Sequence, residues 1–308
     1  MKNILFFILI SPLFLFGQSP IIKDYKITIL STMLSDFYIG EWGFSALIEF
    51  DGQKILFDTG SRENTVLQNA KELNIDLKDI ENVYLSHNHK DHTGGLINLK
   101  QNFPNSFSTA HVGEGIFYKR SSSKGGDHYI LRNKEKIKNL GVDFVYHKKA
   151  NQIFPGIWTT GQVPRVYDEK NWSKLGKIIN SSGNKVEDTI PEDQSLFFDT
   201  EDGIVLVSGC GHAGIANTLK YIREIIPNRP INKVIGGFHL LKQNDKKLKW
   251  TASKMLESGV KFFVGAHCTG INSTYTIRKY MGLDSKSALV GSVGTYINNE
   301  GIFPGYME

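Results

Sequence analysis

Cysteine is scarce in this sequence, because only Cys210 and Cys268 occur among its 308 residues. Two cysteines form at most one disulfide, so the chain is not a small secreted domain held together by a disulfide framework. The sequence also lacks the CxxC pair of redox and zinc-ribbon motifs and the GxxxxGK[ST] loop that binds nucleotide phosphates. These absences argue against a disulfide-framework protein, a protein that uses a CxxC motif and a P-loop nucleotide-binding protein.

The net charge is also small. The sequence has 36 basic and 31 acidic residues, which give a formal net charge of +5. There is no long basic run, so we expect no general electrostatic binding to nucleic acid or to a membrane surface. A content of 40% hydrophobic residues suffices for a sizeable core. The expected partner is therefore a small-molecule substrate, and an acidic one is compatible with this charge.

The N-terminal segment MKNILFFILISPLFLFGQ holds an apolar run that one lysine precedes and that ends near Gly17. This layout is typical of a secretory signal peptide. The alternatives are an uncleaved anchor or a buried strand, but the run is short for a membrane-spanning helix. We predict that residues 1–18 are a signal peptide, that the protein is exported to the periplasm or secreted, and that it keeps no stable membrane association after signal removal.

The mature chain alternates predicted strands and helices. Short β-branched or aromatic runs such as GFSALIEF and KILFDTG predict strands, with Asp51-Gly52 as a hairpin turn. The second half repeats this scheme with a hairpin at Asp202-Gly203, and ALVGSVGTYI near the end predicts one further strand. Two similar halves without a Pro/Ser-rich linker predict a single α/β domain, residues 19–308, with a four-layer αββα sandwich. We interpret the polar, Lys-rich residues 119–150 as an insertion that either covers a cleft or packs on the surface.

Three of the nine histidines lie within the segment SHNHKDHTGG, which directly follows the apolar strand ENVYL. Imidazole and carboxylate are ligands of borderline divalent metals, and this turn supplies four of them. Alternation at the strand end lets His87 and His89 reach one ion, while Asp91 and His92 at the next helix start point to a second. The alternative, a polar loop with solvated histidines, is disfavoured by this spacing.

The segment SHNHKDHTGG resembles the metal-binding motif of the metallo-β-lactamase superfamily, and GFSALIEFDGQKILFDTG is similar to its opening strands. Four later segments, DQSLFF, SGCGHAGIANT, GGFHL and GAHCTG, resemble the branch of 7,8-dihydropterin-6-methyl-4-(β-D-ribofuranosyl)aminobenzene-5′-phosphate synthase-like proteins. The resemblance covers nearly the whole mature chain. It implies a metallo-β-lactamase fold that holds two divalent metal ions, with zinc as the first expectation and manganese or iron as alternatives.

The resemblance also implies a ligand set for the two ions. His212 follows an apolar strand where Gly211 and Gly214 allow close backbone approach, and His267 follows the strand KFFVGA at the place of the last histidine ligand. For both, the alternative is a structural histidine. The implied ligands are His87, His89 and His212 for the first ion, and Asp91, His92 and His267 for the second.

The sequence departs from the common superfamily pattern in two places. The usual central histidine is replaced around TTGQVPR, and the usual bridging aspartate falls near Cys210. A bridging hydroxide without carboxylate help, a Cys210 thiolate and a different acidic residue are the open alternatives. For Cys210 and Cys268 we favour packing as small hydrophobic residues, with a disulfide or a redox-sensitive pair as the alternative.

Three further residues are candidates for the site. Asp58, in FDTG, is expected under the histidine loop, where it accepts a hydrogen bond and orients a ligand, or else is a turn residue. In the resembled branch the histidine of GGFHL faces the substrate, which makes His239 a donor to an oxyanion or phosphate; otherwise it is a core histidine. Arg165 either contacts an acidic substrate group or forms a surface salt bridge.

The predicted chemistry is hydrolysis of an ester, lactone or phosphoester by hydroxide that a dinuclear metal centre generates at neutral pH. Asp91 would accept the proton left after attack, and His239 would stabilise the developing charge. The intact HxHxDH motif and the signal peptide favour this exported hydrolase. One alternative is a transferase or condensing enzyme acting on a phosphorylated pterin-type substrate, and another is a metal-containing binding protein without turnover.

Overall fold

A computed structural model describes residues 21–121, 128–172 and 176–306. Its strands are, in chain order, β1 (Tyr25–Ser31), β2 (Ser45–Phe50), β3 (Gln53–Phe57), β4 (Asn82–Leu85), β5 (Thr109–Gly113), β6 (Arg120–Ser121), β7 (Asp143–His147), β8 (Asn151–Phe154), β9 (Ile157–Thr159), β10 (Lys177–Ile179), β11 (Lys185–Glu187), β12 (Ser195–Thr200), β13 (Gly203–Ser208), β14 (Ile231–Gly236), β15 (Phe262–Gly265), β16 (Ala288–Val290), β17 (Tyr296–Asn298) and β18 (Ile302–Phe303). Its α-helices are α1 (Thr65–Glu72), α2 (Lys90–Thr93), α3 (Leu96–Asn102), α4 (Tyr129–Arg132), α5 (Lys134–Asn139), α6 (Ile215–Ile225), α7 (Asp245–Glu257) and α8 (Ile271–Met281), and a short 3-10 helix spans His267–Thr269.

Two large mixed sheets form the centre of the domain. The first has eight strands in the order β18-β17-β1-β2-β3-β4-β5-β7, and the second has seven in the order β16-β15-β14-β13-β12-β9-β8. In each sheet the chain begins with antiparallel hairpins and then adds parallel strands, β3-β4-β5-β7 in the first and β13-β14-β15-β16 in the second. Strands β11, β10 and β6 form a small third sheet.

Side chains alternate between two apolar layers along each central strand, as the period of a β-strand requires. In β2, Ala46 and Ile48 face the layer between the two sheets, whereas Leu47 faces the helices that cover the first sheet. In β13, Val207 faces the layer between the sheets and Leu206 packs under the helices on the second sheet. Three apolar layers therefore separate helices, sheet, sheet and helices, which confirms the predicted αββα sandwich.

The hairpin predicted at Asp51-Gly52 connects β2 to β3. Both residues have positive φ, 41° for Asp51 and 80° for Gly52. Two successive left-handed residues are typical of the tight hairpin turn whose twist matches that of the flanking strands. The register that follows pairs Ile48 with Ile55 and Ala46 with Phe57, so that the apolar faces of both strands coincide.

The segment ALVGSVGTYI is two strands and not the single strand that its composition predicts. Its first part, β16, pairs with β15 in the seven-stranded sheet, and its second part, β17, pairs with β1 in the eight-stranded sheet. The chain crosses between the sheets at Gly291–Thr295, where a Cβ on Gly291 would lie 2.8 Å from a side-chain carbon of Ile29. Small residues let the chain pass this close to the other sheet.

The described part of residues 119–150 contributes to the first sheet, to the helices that cover it and to the small third sheet. Strand β7 pairs in parallel with β5, and Ile130 and Ile137 are buried in the apolar layer under the helices. Strand β6 pairs with β10 in the small third sheet. Whether this segment is an insertion stays a prediction.

Among the described residues, no helix has both the length and the apolar character needed to cross a membrane. The predicted signal peptide, residues 1–18, lies outside the described residues.

The parallel strands of both sheets direct their carboxyl ends to one edge of the sandwich. The loops after β3, β4, β13, β14 and β15 contain all the residues that the sequence predicts as metal ligands, together with Asp58 and His239. In α/β sheets, ligands bind outside the carboxyl ends of the strands, because loops from neighbouring strands meet there. The site therefore lies at this edge.

Candidate metal centre

The first predicted ligand triad comes from both sheets. His87 and His89 follow β4 of the first sheet, and His212 follows β13 of the second. His87 Nε2 and His89 Nδ1 are 2.9 Å apart, and the His212 ring centroid lies 4.7 Å from that of His87 and 5.0 Å from that of His89. One nitrogen of each ring lies within 4.8 Å of the other two, a spacing that a single ion can bridge.

The second predicted triad also takes its residues from both sheets. Asp91 and His92 lie in the short helix α2 after the histidine loop, and His267 follows β15 of the second sheet. His267 Nε2 lies 3.4 Å from Asp91 Oδ2 and 3.3 Å from His92 Nε2. The ring centroids of His87 and His92 are 4.3 Å apart, so the two triads are direct neighbours. The structure thus brings together all six predicted ligands, and their assignment to two ions stays a prediction.

Asp58 lies beneath the histidine loop and holds it through three hydrogen bonds. Its Oδ1 accepts from the backbone N–H of Ser86 at 2.7 Å, and its Oδ2 accepts from Ser86 Oγ and from His92 Nδ1, both at 2.7 Å. A proton on His92 Nδ1 leaves the Nε2 lone pair free to face the second triad. Asp58 therefore has the orienting contact that the sequence analysis expected.

Ser86 extends this network to the first triad, a role that sequence reasoning missed. Its hydroxyl donates to Asp58 and accepts from His87 Nδ1 at 3.0 Å, which turns His87 Nε2 toward His89. A Cβ on Gly209 would overlap the Ser86 hydroxyl and the Asp58 carboxylate. Only glycine fits where the loop after β13 crosses this network.

His212 is oriented by a backbone contact that sequence reasoning also missed. Its Nδ1 donates to the carbonyl oxygen of Asn171 at 2.5 Å, while its buried Nε2 has no hydrogen-bond partner in the part of the chain that the structure describes. Asp193 fixes the same loop, because its Oδ2 accepts from the backbone N–H of Ala213 at 2.8 Å. The DQSLFF segment was noted in the sequence, but only the fold shows that its aspartate holds a ligand loop.

Burial keeps the first triad uncharged. Desolvation, reinforced by neighbouring imidazoles, lowers the pKa of His87 and of His212 well below the usual value. Desolvation also lowers the pKa of His89 to about 4. Three neutral imidazoles with converging nitrogens are the form of histidine that binds metal.

Carboxylates govern the second triad. Burial alone would lower the pKa of His92, but Asp58 and Asp91 outweigh it and raise that pKa to about 9. Burial alone would raise the pKa of Asp91. The charges of His92, His267 and His89 and a hydrogen bond with His267 outweigh burial and lower that pKa well below the usual range. A positive charge is therefore favoured at this triad, whether a proton or a metal ion carries it.

The donor set fits divalent metal. Five imidazoles and one carboxylate converge there. The buried His212 Nε2 has no hydrogen-bond partner among the described residues, and a buried polar atom left unpaired is costly. Histidine-rich sites of this kind suit zinc, manganese or iron.

The two cysteines meet beside the triads as free thiols. Cys210 and Cys268 are buried, and their sulfurs lie 3.1 Å apart. Burial raises the pKa of the Cys210 thiol. Burial acts in the same direction on Cys268, but the hydrogen bond from Cys210 and the imidazoles of His267 and His239 outweigh it and lower that pKa.

His239 and Arg165 differ in how exposed they are to a substrate. His239 lines a cavity beside the triads, with its Nδ1 3.3 Å from Cys210 Sγ. Arg165 donates to the carbonyl oxygens of His212 and Thr189, both at 2.6 Å, and its guanidinium lies 4.6 Å from the ring centre of Trp172. The contacts of Arg165 position the ligand loop, and its predicted contact with a substrate stays a prediction.

The cavity beside the triads has a volume of about 420 Å³. Trp42, which sequence reasoning did not single out, lies at its wall with its ring 4.8 Å from that of His267. The residues that line the cavity are Trp42, Lys170, Asn171, Trp172, His239, Leu241, Lys242, Gln243 and Cys268. Its size and its mixture of aromatic and cationic side chains are typical of a small-molecule site.

Comparisons with known proteins agree with this fold and site. Residues 29–111 match the family model described as Anti-Pycsar protein Apyc1. The chain is 33% identical over 248 residues to the 7,8-dihydropterin-6-methyl-4-(beta-D-ribofuranosyl)-aminobenzene-5'-phosphate synthase of Methanocaldococcus jannaschii, and the match covers 75% of this chain and 82% of that protein.

Two solved structures have the same fold as this chain. Tm1679, described as a metal-dependent hydrolase of the beta-lactamase superfamily, superposes with a TM-score of 0.72 at 25% identity over 89% of this chain and 98% of that one. The zinc-bound PqqB of Methylobacterium extorquens has the same fold, with a TM-score of 0.54 at 12% identity over 88% of this chain and 99% of that one. The chain is a member of the metallo-β-lactamase superfamily and, within it, belongs to the family of the M. jannaschii synthase.

The Asp58 network predicts how a single substitution changes metal binding. Asp58→Asn keeps the size of the side chain but removes the charge that holds the proton on His92 Nδ1. We expect metal affinity to fall by about 10- to 100-fold, the usual effect of losing a partner that orients a ligand. Competition with a chromogenic chelator measures this change. Asp202→Asn, at an exposed turn, is the control, and equal affinities for the two variants would contradict the role of Asp58.

Proposed function

We propose that the protein is an exported metal-dependent hydrolase that cleaves a phosphoester of a small organic molecule, with two divalent ions held by the two triads. The observation that carries this proposal is the convergence of six potential metal ligands beside a cavity with cationic and aromatic side chains. Divalent ions bound there would supply Lewis acidity toward a scissile oxygen and lower the pKa of water.

Protein groups around the triads fit hydrolysis. Asp91 is ionised at neutral pH because neighbouring imidazoles lower its pKa, so its Oδ2 can accept a proton during the reaction. Burial alone lowers the pKa of His239, but Cys268 and nearby carboxylates outweigh it and raise that pKa. A protonated His239 at the cavity wall can donate a hydrogen bond to an oxygen that gains negative charge. No side-chain nucleophile is needed.

The cavity favours a phosphoester over a neutral ester or lactone. Lys170 and Lys242 lie at its wall and are not buried. Lys170 Nζ lies 3.7 Å from Asp168 Oδ1, so Lys242 is the better placed of the two to contact an anionic group. Trp42 and Trp172 provide flat apolar surfaces for the organic part of the substrate. A phosphate and an attached ring system match both features.

The names of the relatives support two versions of this chemistry. Tm1679 is described as a metal-dependent hydrolase, which favours hydrolysis. The M. jannaschii relative is named a synthase, and its product carries a 5'-phosphate. A condensing or transferase reaction on a phosphorylated pterin-type substrate is therefore the second candidate, and both candidates use the same cationic cavity. Zinc, the metal of PqqB, is the first ion to try.

Export is part of the proposal because the first eighteen residues have the layout of a signal peptide. A lysine precedes a short apolar run there, and small or polar residues follow it. After removal of this segment we expect a soluble protein whose partner is a small molecule and neither nucleic acid nor membrane.

Metal content and turnover test the hydrolase proposal together. In zinc-reconstituted protein without residues 1–18, we expect about two ions per chain, and fewer in His212→Ala because the first triad loses a ligand. We expect the wild type to hydrolyse phosphodiesters faster than lactones or aryl esters, and His212→Ala to lose more than about 100-fold in kcat, beyond the usual effect of an outer contact. Elemental analysis and a hydrolysis panel measure these quantities, with His147→Gln as the matched buried-histidine control.

Other outcomes separate the alternatives. Metal-free protein after reconstitution would contradict the ligand set. Metal at the expected level without hydrolysis, but with formation of a condensed product from a phosphorylated pterin-type substrate, would favour the synthase. Metal without any turnover would favour a binding protein.

The cavity lysines predict substrate preference. Lys242→Ala should raise KM for a phosphorylated substrate by about 10-fold, because a charge-assisted hydrogen bond contributes about 1.5 kcal/mol or more. The kinetic constants for a neutral aryl ester should change little. Lys246→Ala, an exposed lysine outside the cavity, is the control. An equal rise in KM for the neutral and the phosphorylated substrate would contradict a phosphate contact.

Export is tested by expressing the full chain in a bacterium and fractionating the cells. We expect mature protein outside the cytoplasm, with an N-terminus close to residue 19. Substitution of Leu5, Phe6 and Phe7 by aspartate should keep the chain in the cytoplasm, because it destroys the apolar run. Full-length protein in the cytoplasm of the unsubstituted strain would contradict export.

A further inference from the structure

Three potential metal ligands outside the two triads converge beside them. Cys210 follows β13, His239 follows β14 and Cys268 follows β15, so that three neighbouring parallel strands each contribute one side chain. Their ligand atoms, two sulfurs and one imidazole nitrogen, lie within 4.8 Å of one another. The proposed hydrolase uses none of the three to hold its two ions.

The distances within this cluster are close to those of a tetrahedral thiolate site. Cys210 Sγ lies 3.1 Å from Cys268 Sγ and 3.3 Å from His239 Nδ1. Zinc–sulfur bonds of about 2.3 Å and zinc–nitrogen bonds of about 2.0 Å at tetrahedral angles place two sulfurs about 3.8 Å apart and sulfur and nitrogen about 3.5 Å apart. An ion bound with these bond lengths would therefore need the two sulfurs to separate by about 0.7 Å.

The backbone around the cluster is shaped to bring these groups together. A Cβ on Gly237 would lie 2.9 Å from Cys268 Sγ and would overlap the carbonyl oxygen of Gly209. His239 itself has a φ of 51°, a left-handed conformation that few side chains adopt. Its backbone N–H donates to Cys268 Sγ at 3.2 Å. Amide donors to a sulfur stabilise negative charge on it, as outer contacts do at metal thiolate sites.

We propose that Cys210, His239 and Cys268 form a third metal site, for a thiophilic ion such as Zn²⁺ or Cd²⁺. Two sulfurs and one imidazole are a softer donor set than the imidazoles and carboxylate of the two triads, so this site prefers softer ions. The inference goes beyond the proposed function, which assigns ions to the triads alone.

The site has three protein ligands and an open side. His239 and Cys268 both line the 420 Å³ cavity, so a fourth ligand reaches the ion from there. Three protein ligands with one open position are typical of zinc sites that contact a substrate or water, whereas structural zinc has four protein ligands. An ion here would contact the same cavity that the proposed substrate occupies.

Two other uses of the sulfurs compete with this proposal. Cys210 Sγ also lies within 4.8 Å of ligand nitrogens of His87 and His92, so Cys210 alone could serve the two triads. The two thiols could also join in a disulfide when a small disulfide or hydrogen peroxide accepts their two electrons and two protons, leaving as two thiols or as two water molecules. Each of these alternatives removes Cys268 from metal binding and is distinguished by the experiment.

The test is metal loading of signal-free protein kept reduced with a phosphine. After metal removal with a chelator, the protein is titrated with Cd²⁺, and bound ions and near-ultraviolet thiolate-to-cadmium absorption are measured. We expect the wild type to bind one ion more than Cys268→Ser and to show an absorption step that this variant lacks. His239→Gln should weaken the same step, and His147→Gln, at a buried histidine outside the cluster, should leave it unchanged.

A second measurement avoids any folding defect of the variants. X-ray absorption of the fully zinc-loaded wild type should show zinc–sulfur bonds of about 2.3 Å from two sulfurs per chain. Equal ion counts and absorption in wild type and Cys268→Ser would overturn the proposal in favour of Cys210 alone. A first shell without sulfur, or thiols that stay oxidised under the reductant, would overturn it as well.

These readouts are independent of the proposed hydrolysis. If the third ion is present and no ester is cleaved, the proposed function fails and this inference stands. If esters are cleaved with only the triads loaded, the proposed function stands and this inference fails.

Discussion

The buried carboxylate of Asp58 is the contact on which the rest of the site depends. A charge with no exposure to water is costly unless donors surround it, and Asp58 has three, two of them from Ser86 and one from His92. The parallel pairing of β3 with β4, in which Phe57 lies opposite Tyr84, brings these donors to the carboxylate. The histidine loop must therefore close over Asp58 in one conformation, and that conformation sets where His87 and His92 point.

The second sheet completes the site from the opposite side, and glycine makes this possible. At Gly209 any side chain would overlap Ser86 and Asp58, so the loop after β13 can cross the network only without one. Beyond that crossing the same loop presents Cys210 and His212. Asp193 and the carbonyl of Asn171 then fix the backbone and ring of this second contribution. His212, like His87 and His92, is thus held at one ring nitrogen by the protein while its other ring nitrogen stays available.

Much of the fold could be predicted from the sequence, because the helices and strands have clear periods and hairpin turns. The four ligands of SHNHKDHTGG could also be predicted, since a strand, a turn and a helix start place them within one loop. The resemblance to a known family added His212 and His267, which lie far along the chain. The structure adds that the six side chains lie close together in space. That they bind metal ions stays a prediction.

Other parts of the site could not be predicted, for physical reasons. The Asn171 contact uses a backbone carbonyl, which every residue has, so no side-chain pattern marks it. Trp42 lies in an irregular segment whose position depends on the packing of both sheets. The division of ALVGSVGTYI into β16 and β17 depends on a crossing between sheets, which local composition does not encode.

Each triad takes its residues from both halves of the chain, so metal binding and folding of the domain depend on each other. His87 and His89 belong to one half of the chain and His212 to the other, and the same division separates Asp91 and His92 from His267. An ion bound to either triad joins the two halves much as a covalent cross-link would, and its binding energy adds to the stability of the folded domain. Neither half holds a complete triad alone, so an ion could bind a complete triad only after both halves have folded against each other.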